Sequence, residues 1–208
     1  MFDHIIFDVD GTLIDSADAV IGTLQRVSQE FMPAAADAKR CRETLAMHTA
    51  RALRHIGLPE RVLHAAVARY DVLYATAFHT AVFPGVADTI TYISAKGIPM
   101  AVFSARQAYE LQNDAVFSPL RPYFHLLMSA EFAPPKPSPD GLLRYMQRFG
   151  VTPGRVLFIG DTMSDSDSAH AASVPFALAG WNPAADPDTI AHQFFLRQPG
   201  DLLSLLGI

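Results

Sequence analysis

The chain has 208 residues, of which 50% are apolar, and its formal net charge is −5. This apolar share is enough for a packed core and excludes a largely disordered chain. There are 16 lysines and arginines and no basic cluster, so broad binding to nucleic acid is not expected.

The cysteine content argues against a disulfide-stabilised protein, and the short apolar runs argue against a membrane-spanning one. A single cysteine, Cys41, cannot form an internal disulfide or a cysteine metal site, and we expect it to pack a helix in a reducing compartment. No apolar run approaches the ~18 residues that span a bilayer, and the first residues lack a secretory pattern. We therefore expect a cytoplasmic protein that is not attached to a membrane.

The first predicted element is a short buried strand at residues 5–7, which ends in two aspartates. Side chains alternate along a strand, so Asp8 and Asp10 start on the same side. Gly11 then permits a tight turn. In open α/β sheets, ligands bind at the carboxyl ends of the strands, which makes this acidic strand end a candidate site.

The next segment contains helical patterns only. Apolar residues recur at helical spacing over residues 16–31, 41–56 and 59–78. Asp15 or Ser16 would cap the first of these helices, and Pro33 would end it. Residues 16–82 therefore form a predicted helical bundle inserted after the first strand.

From residue 83 onward, short apolar runs alternate with helices. The predicted strands cover residues 98–103, 124–129, 155–159, 176–178 and 194–196. The predicted helices cover residues 86–96, 107–117, 138–149 and 164–173. This alternation is typical of a parallel sheet covered on both faces. We expect an α/β fold with a Rossmann-like, doubly wound core built from residues 1–15 and 83–208.

Two polar residues follow the predicted strand at 98–103. Ser104 could donate a hydrogen bond to a phosphate oxygen, or it could cap the helix that follows. Arg106 could face a substrate or lie on the surface.

Lys136 lies in a proline-rich approach to the helix predicted at 138–149. Ser138 and Pro139 would be the N-cap and first-turn residues of that helix. The prolines restrict the loop, so Lys136 would have little freedom to drift. It could oppose negative charge at a site or remain solvated.

Two aspartates four residues apart lie on either side of a strand-to-helix turn. Asp161 follows the predicted strand before the helix begins. Asp165 and Asp167 could be acidic residues of the first helical turn, with Ser164 and Asp167 as a pair resembling a capping box. Asp165 is the preferred second acid of a site, and Asp167 is the alternative.

In chain order, Asp8-x-Asp10-Gly-Thr, Ser104, Lys136-Pro and Gly160-Asp161-x-x-x-Asp165 resemble the motifs of the haloacid dehalogenase-like hydrolases. The form is that of the family's phosphatases, in a branch that includes phosphoglycolate phosphatase and β-phosphoglucomutase. Members of this branch carry an α-helical cap inserted after the first motif, and residues 16–82 match it in position and helical character. Ala105 stands where the family commonly has asparagine, so any contact made by the asparagine side chain is missing here.

The resemblance implies Mg²⁺-dependent hydrolysis of a small-molecule phosphate monoester through an aspartyl phosphate. Asp8 would be the nucleophile and a metal ligand. The Asp10 side chain would protonate the leaving alcohol and then activate water, and its backbone carbonyl would be a further ligand. Asp161 and Asp165 would complete the magnesium site.

Other residues would bind the substrate. Thr12 and Ser104 would position phosphoryl oxygens, and Lys136 would stabilise charge. Arg106 is a candidate substrate contact, and so is Arg51 in the cap.

Four further residues are weaker candidates. His48 and Arg54 lie in the same predicted helix as Arg51. Trp181 and Asn182 follow the predicted strand at 176–178 and could line the rim of the site, although packing explains a tryptophan as well.

Three alternatives remain open within this resemblance. A phosphomutase would use the same first half-reaction, and a non-catalytic relative would bind a phosphoester without turnover. A 2-haloacid dehalogenase would need neither Mg²⁺ nor Asp10. The expected partner is a small phosphorylated metabolite, and the expected assembly is a monomer or homodimer.

Overall fold

A computed structural model describes residues 2–45, 47, 49–74 and 81–208. The chain divides into two compact units. The larger unit comprises Met1–Asp15 with Val82–Ile208, and the smaller unit comprises Ser16–Ala81.

The larger unit contains a six-stranded parallel sheet. Within the described residues, the strands are β1 (His4–Phe7), β2 (Ile14–Asp15), β3 (Ala81–Val82), β4 (Met100–Phe103), β5 (Leu126–Met128), β6 (Val156–Gly160), β7 (Phe176–Ala179) and β8 (Phe194–Leu196). The sheet order is β5-β4-β1-β6-β7-β8, with every neighbouring pair parallel. β1 is therefore an inner strand, and the predicted parallel sheet is confirmed.

Helices cover both faces of this sheet. In the part of the chain that the structure describes, the α-helices are α1 (Ala17–Phe31), α2 (Ala38–Arg42), α3 (Thr49–His55), α4 (Glu60–Tyr74), α5 (Val86–Ala95), α6 (Ala108–Asn113), α7 (Asp140–Phe149), α8 (Met163–Ala171) and α9 (Asp201–Leu206). Ile5 and Phe7 pack in one hydrophobic cluster with α5, α6 and α9. Ile6 packs in the other with α7 and α8. Because alternate side chains of β1 enter opposite layers, the fold is Rossmann-like and doubly wound, as predicted.

The smaller unit consists of α1–α4 around its own apolar cluster, which includes Leu24, Cys41 and Leu53. The single helix predicted at 41–56 is wrong, because α2 ends at Arg42 and α3 begins at Thr49. The Thr44 hydroxyl donates to the Cys41 carbonyl, a local bond that competes with helix continuation. α4 is described to Tyr74, and the end predicted near Phe78 lies outside the described residues.

Two predicted helix boundaries in the core are also wrong. The helix predicted at 107–117 ends at Asn113, because the Asp114 carboxylate accepts the N–H groups of Val116 and Phe117 and starts a turn. The helix predicted from Ser138 begins at Asp140, with Pro139 as its N-cap.

Among the strands and α-helices, β2, β3 and α9 had no predicted counterpart. The first two have only two residues each, too few for a periodic pattern. Among the described residues, no helix is both long and apolar enough to cross a membrane.

Candidate functional site

The candidate site lies where three neighbouring parallel strands end. In the sheet register, Phe7 of β1 pairs with Val102 of β4 on one side and with Ile159 of β6 on the other. The residues that follow these strands, Asp8, Ser104 and Asp161, therefore emerge at the same edge.

Three buried carboxylates form the centre of the site. Asp8, Asp161 and Asp165 offer oxygens that all lie within 4.8 Å of one another. The sequence predicted these three acids, together with the Asp10 backbone carbonyl, as metal ligands, and the structure brings the three acidic side chains together. Asp167, the alternative to Asp165, is an exposed residue of α8.

Asp165 is held by the start of α8. Its Oδ2 accepts bonds from the Thr162 backbone N–H at 3.0 Å and the Thr162 hydroxyl at 2.6 Å. The hydroxyl in turn accepts the Asp165 N–H, which makes a capping box. The capping pair predicted at Ser164 and Asp167 is therefore wrong by two residues. A Cβ at Gly160 would lie 2.6 Å from the Asp165 side chain, so glycine is needed there.

Lys136 connects two of the three acids. Its Nζ donates to Asp8 Oδ1 and to Asp165 Oδ1, each at 2.6 Å. The ammonium also lies over the Phe103 and Phe158 rings, 5.5 and 5.8 Å from their centroids. Lys136 is only 7% exposed, so the solvated-loop alternative for it is wrong.

The electrostatics of this cluster leave negative charge uncompensated. Burial, with added repulsion from Asp165 and Asp10, raises the pKa of Asp8 to about 7 despite the nearby Lys136 ammonium. Burial and repulsion from Asp8 and Asp165 also raise the pKa of Asp161 well above its ordinary value. Burial lowers the pKa of Lys136, but attraction to Asp165 and Asp8 outweighs it and the net shift is upward. Lys136 supplies one positive charge against three carboxylates, a deficit that a divalent cation with oxygen ligands fits.

Asp161 is oriented by contacts that the sequence did not indicate. Thr12 Oγ1 donates to Asp161 Oδ1 at 3.1 Å. Asn182 Nδ2 donates to Asp161 Oδ2 at 2.8 Å and to the Gly11 carbonyl at 3.0 Å. Trp181 Nε1 donates to the Thr12 carbonyl at 2.8 Å. Asn182 therefore ties the turn after β1 to the acid after β6, and no periodicity or motif could have shown this.

Ser104 and Arg106 both point inward at the end of β4. Ser104 is 2% exposed, and its Oγ accepts the Arg106 backbone N–H at 3.1 Å. It does not cap a helix, because α6 begins at Ala108 with Gln107 as its N-cap. Arg106 is 8% exposed and donates to both carboxylate oxygens of Asp10. The surface alternative for Arg106 is therefore wrong.

The remaining predicted substrate residues belong to the smaller unit. Arg51 is an exposed residue of α3. Arg54 makes an exposed two-bond ion pair with Glu60. His48 lies outside the described residues.

Comparison with known proteins agrees with the motifs found in the sequence. The chain matches the family model of the haloacid dehalogenase-like hydrolases over residues 5–179. A phosphoglycolate phosphatase of Pseudomonas putida is 30% identical over 180 residues, which cover 82% of this chain and 66% of that protein. The chain thus spans just under two thirds of the length of this protein and of a second phosphoglycolate phosphatase, from Pseudomonas aeruginosa.

Other relatives align over nearly their whole length. A phosphoglycolate phosphatase of Aquifex aeolicus is 28% identical over 97% of this chain and 95% of its own. The crystal structure of a candidate phosphoglycolate phosphatase from Lactobacillus plantarum superposes with a TM-score of 0.90 at 25% identity, covering 99% of both chains.

Proposed function

The chain belongs to the haloacid dehalogenase-like hydrolases, and we propose that it is a phosphatase that hydrolyses a small-molecule phosphate monoester with Mg²⁺ as cofactor. The observation that carries the proposal is the buried set of three carboxylates around Lys136 at the carboxyl ends of β1 and β6. Phosphoglycolate is a first candidate substrate, because relatives covering most of this chain are phosphoglycolate phosphatases.

Asp8, Asp161 and Asp165 would hold the cation, with the Asp10 carbonyl as a further ligand. A divalent cation bound there supplies positive charge that offsets the repulsion between a carboxylate nucleophile and a phosphate dianion. Thr12 and Asn182 keep Asp161 oriented for this role through their hydrogen bonds to its two carboxylate oxygens.

Asp8 would attack the phosphorus atom. A carboxylate oxygen of Asp8 forms a bond to phosphorus while the bond from phosphorus to the leaving alcohol breaks, which gives an aspartyl phosphate. Asp10 donates its proton to the leaving oxygen. Asp10 then takes a proton from water as the water oxygen attacks phosphorus, which releases phosphate and restores Asp8.

Lys136 and Ser104 would stabilise the charge that develops on the transferring group. Lys136 already contacts Asp8, so its ammonium lies beside the carboxylate that would attack. Ser104 presents a buried hydroxyl at the end of the neighbouring strand. Fixed donors of this kind act strongly where water is excluded.

The smaller unit would act as a cap that recognises the leaving group, with Arg51 as its first candidate contact. This part of the proposal is supported by the place of the unit in the chain, between Asp15 and Val82, directly after the strand that carries Asp8. Arg51→Ala would then raise KM for the preferred substrate and leave hydrolysis of a small aryl phosphate unchanged.

Phosphate release over a panel of phosphorylated metabolites tests the proposal. With Mg²⁺, the native protein should release phosphate, and Asp8→Asn should lose at least about a thousandfold because it removes the nucleophile. Asp167→Asn is the matched control, since it makes the same change of charge at an exposed acid of α8. Full turnover by Asp8→Asn would overturn the proposal. Conversion of a sugar phosphate into an isomer without free phosphate would instead identify a phosphomutase.

A further inference from the structure

Arg106 is joined to acids on both of its sides. Its Nε donates to Asp10 Oδ2 at 2.7 Å and its Nη2 donates to Asp10 Oδ1 at 2.6 Å, a two-bond pairing that fixes the plane of the carboxylate. Its Nη1 donates to Asp114 Oδ2. The guanidinium thus connects Asp114, which follows α6, with Asp10, which lies in the turn after β1.

Asp114 is itself held by the backbone. Its Oδ1 accepts the N–H groups of Val116 at 2.7 Å and Phe117 at 2.9 Å, in the turn that ends α6. The Arg106 backbone is held as well, because its N–H donates to Ser104 Oγ and its carbonyl accepts the Ala130 N–H. The Arg106 side chain is therefore held at its backbone and at Nη1. The atoms that bind Asp10, Nε and Nη2, have little freedom to move.

The charge balance around Arg106 does not favour a substrate anion. The Arg106 guanidinium donates to two acidic side chains, Asp10 and Asp114. An anionic part of a substrate placed beside Arg106 would also come close to these two acids and be repelled by them when they are ionised. The expectation that Arg106 contacts substrate therefore has weak electrostatic support.

We propose that Arg106, anchored by Asp114, is a positioning residue that sets the orientation of the Asp10 carboxylate for proton transfer and does not bind the substrate. The inference rests on the proposed function, because it assigns Asp10 the proton transfers described above. A carboxylate whose plane is fixed can present one oxygen to the leaving group, whereas a displacement of about 1 Å costs on the order of a hundredfold in rate.

Two esters with different leaving groups provide the test. An alkyl phosphate needs a proton on its leaving oxygen, whereas p-nitrophenyl phosphate has a stable leaving anion and needs little help. The ratio kcat/KM covers the steps up to departure of the leaving group, so it reports on Asp10 as the acid. The variants are Asp114→Asn and Arg106→Ala, and Asp188→Asn is a control that makes the same change of charge at an exposed loop residue.

We expect both variants to lose at least about tenfold in kcat/KM for the alkyl ester and less than about threefold for the aryl ester. Added guanidinium ion at a non-denaturing concentration should restore the alkyl ester reaction of Arg106→Ala more than the aryl one. Circular dichroism should show that the variants are folded. Should Asp114→Asn fail this check, Arg106→Ala with guanidinium carries the test alone.

Two results would overturn the positioning role. Equal losses for the two esters would mean that the ion pairs only support the fold. A rise in KM confined to substrates with a second anionic group, with kcat unchanged, would make Arg106 a substrate contact. Either result leaves the phosphatase proposal intact, since that proposal is tested separately by phosphate release from the native protein and by its loss in Asp8→Asn.

Discussion

The Nζ atom of Lys136 lies 2.6 Å from Oδ1 of Asp8, although 128 positions separate the two residues in the sequence. The same nitrogen reaches Asp165 at the same distance, so one buried ammonium holds together an acid that follows β1 and an acid in the first turn of α8. This arrangement combines a candidate nucleophile, a candidate metal site and a charge-stabilising group within a few ångströms. It also has consequences for stability that can be measured without a substrate.

Lys136→Met should lower the free energy of unfolding of the metal-free protein at neutral pH by about 3–5 kcal/mol, because it leaves two buried carboxylates without their partner. Urea denaturation monitored by circular dichroism measures the change. Arg54→Met is the matched control, since it breaks an exposed ion pair with Glu60 that solvent screens, and it should cost much less stability than Lys136→Met. Equal losses in the two variants would contradict the picture of a buried charge network.

The stability of the metal-free protein should depend on Asp8 between pH 4 and pH 7. The pKa of Asp8 rises from its ordinary value of 3.8 to about 7 in the folded protein, so the folded state binds more protons than the unfolded state in this window. The contribution of Asp8 to stability must therefore fall as pH rises through the window and level off above it. Asp8→Asn should become more stable relative to the native protein over the same range. Parallel pH profiles of unfolding free energy for the two proteins would contradict the pKa shift.

Mg²⁺ should stabilise the protein through the acidic cluster. An ion that binds only the folded state at about a hundred times its dissociation constant adds about 2.7 kcal/mol. A thermal melt with and without Mg²⁺ should show this as a rise in Tm, and Asp161→Asn should remove most of it. Asp167→Asn should respond as the native protein does. A rise that persists in Asp161→Asn would place the ion elsewhere.

Gly160→Ala should disturb Asp165 directly. The added methyl group would lie 2.6 Å from the Asp165 side chain, so the capping box and the bond to Lys136 must shift. We expect a loss of about 1–3 kcal/mol in unfolding free energy, together with weaker Mg²⁺ binding by calorimetry. Gly154→Ala is the control, because a methyl group there meets no atom within 4 Å. Unchanged Mg²⁺ affinity in Gly160→Ala would show that Asp165 is not a ligand.

The sequence predicted the core sheet and the main acids of the site for a physical reason. Parallel strands buried on both faces have continuous apolar runs, and such sheets bind ligands where the strands end. Asp8, Ser104 and Asp161 each follow such a run, so their meeting at one edge follows from the topology. Lys136 and Asp165 were added to this set because the segments around them resemble motifs of the haloacid dehalogenase-like hydrolases.

The contacts that orient the site could not be predicted in the same way. Asn182 is 21 residues from Asp161, and Arg106 is 96 residues from Asp10. These pairs depend on side-chain directions in turns, which carry no periodic signal. The break between α2 and α3 was missed for a related reason, because the local bond of Thr44 overrides an apolar pattern that suits one long helix.

The most direct test of the central claim is to trap the aspartyl phosphate. The protein is mixed with Mg²⁺ and an excess of a phosphate monoester that it hydrolyses, quenched in acid and reduced with borohydride, which converts an acyl phosphate to an alcohol. Peptide mass spectrometry should then find homoserine in place of aspartate at position 8, and only when substrate is present. Reduction at another residue would contradict the proposed role of Asp8. So would the absence of reduction at position 8 under conditions in which a known aspartyl-phosphate enzyme, treated in parallel, is reduced.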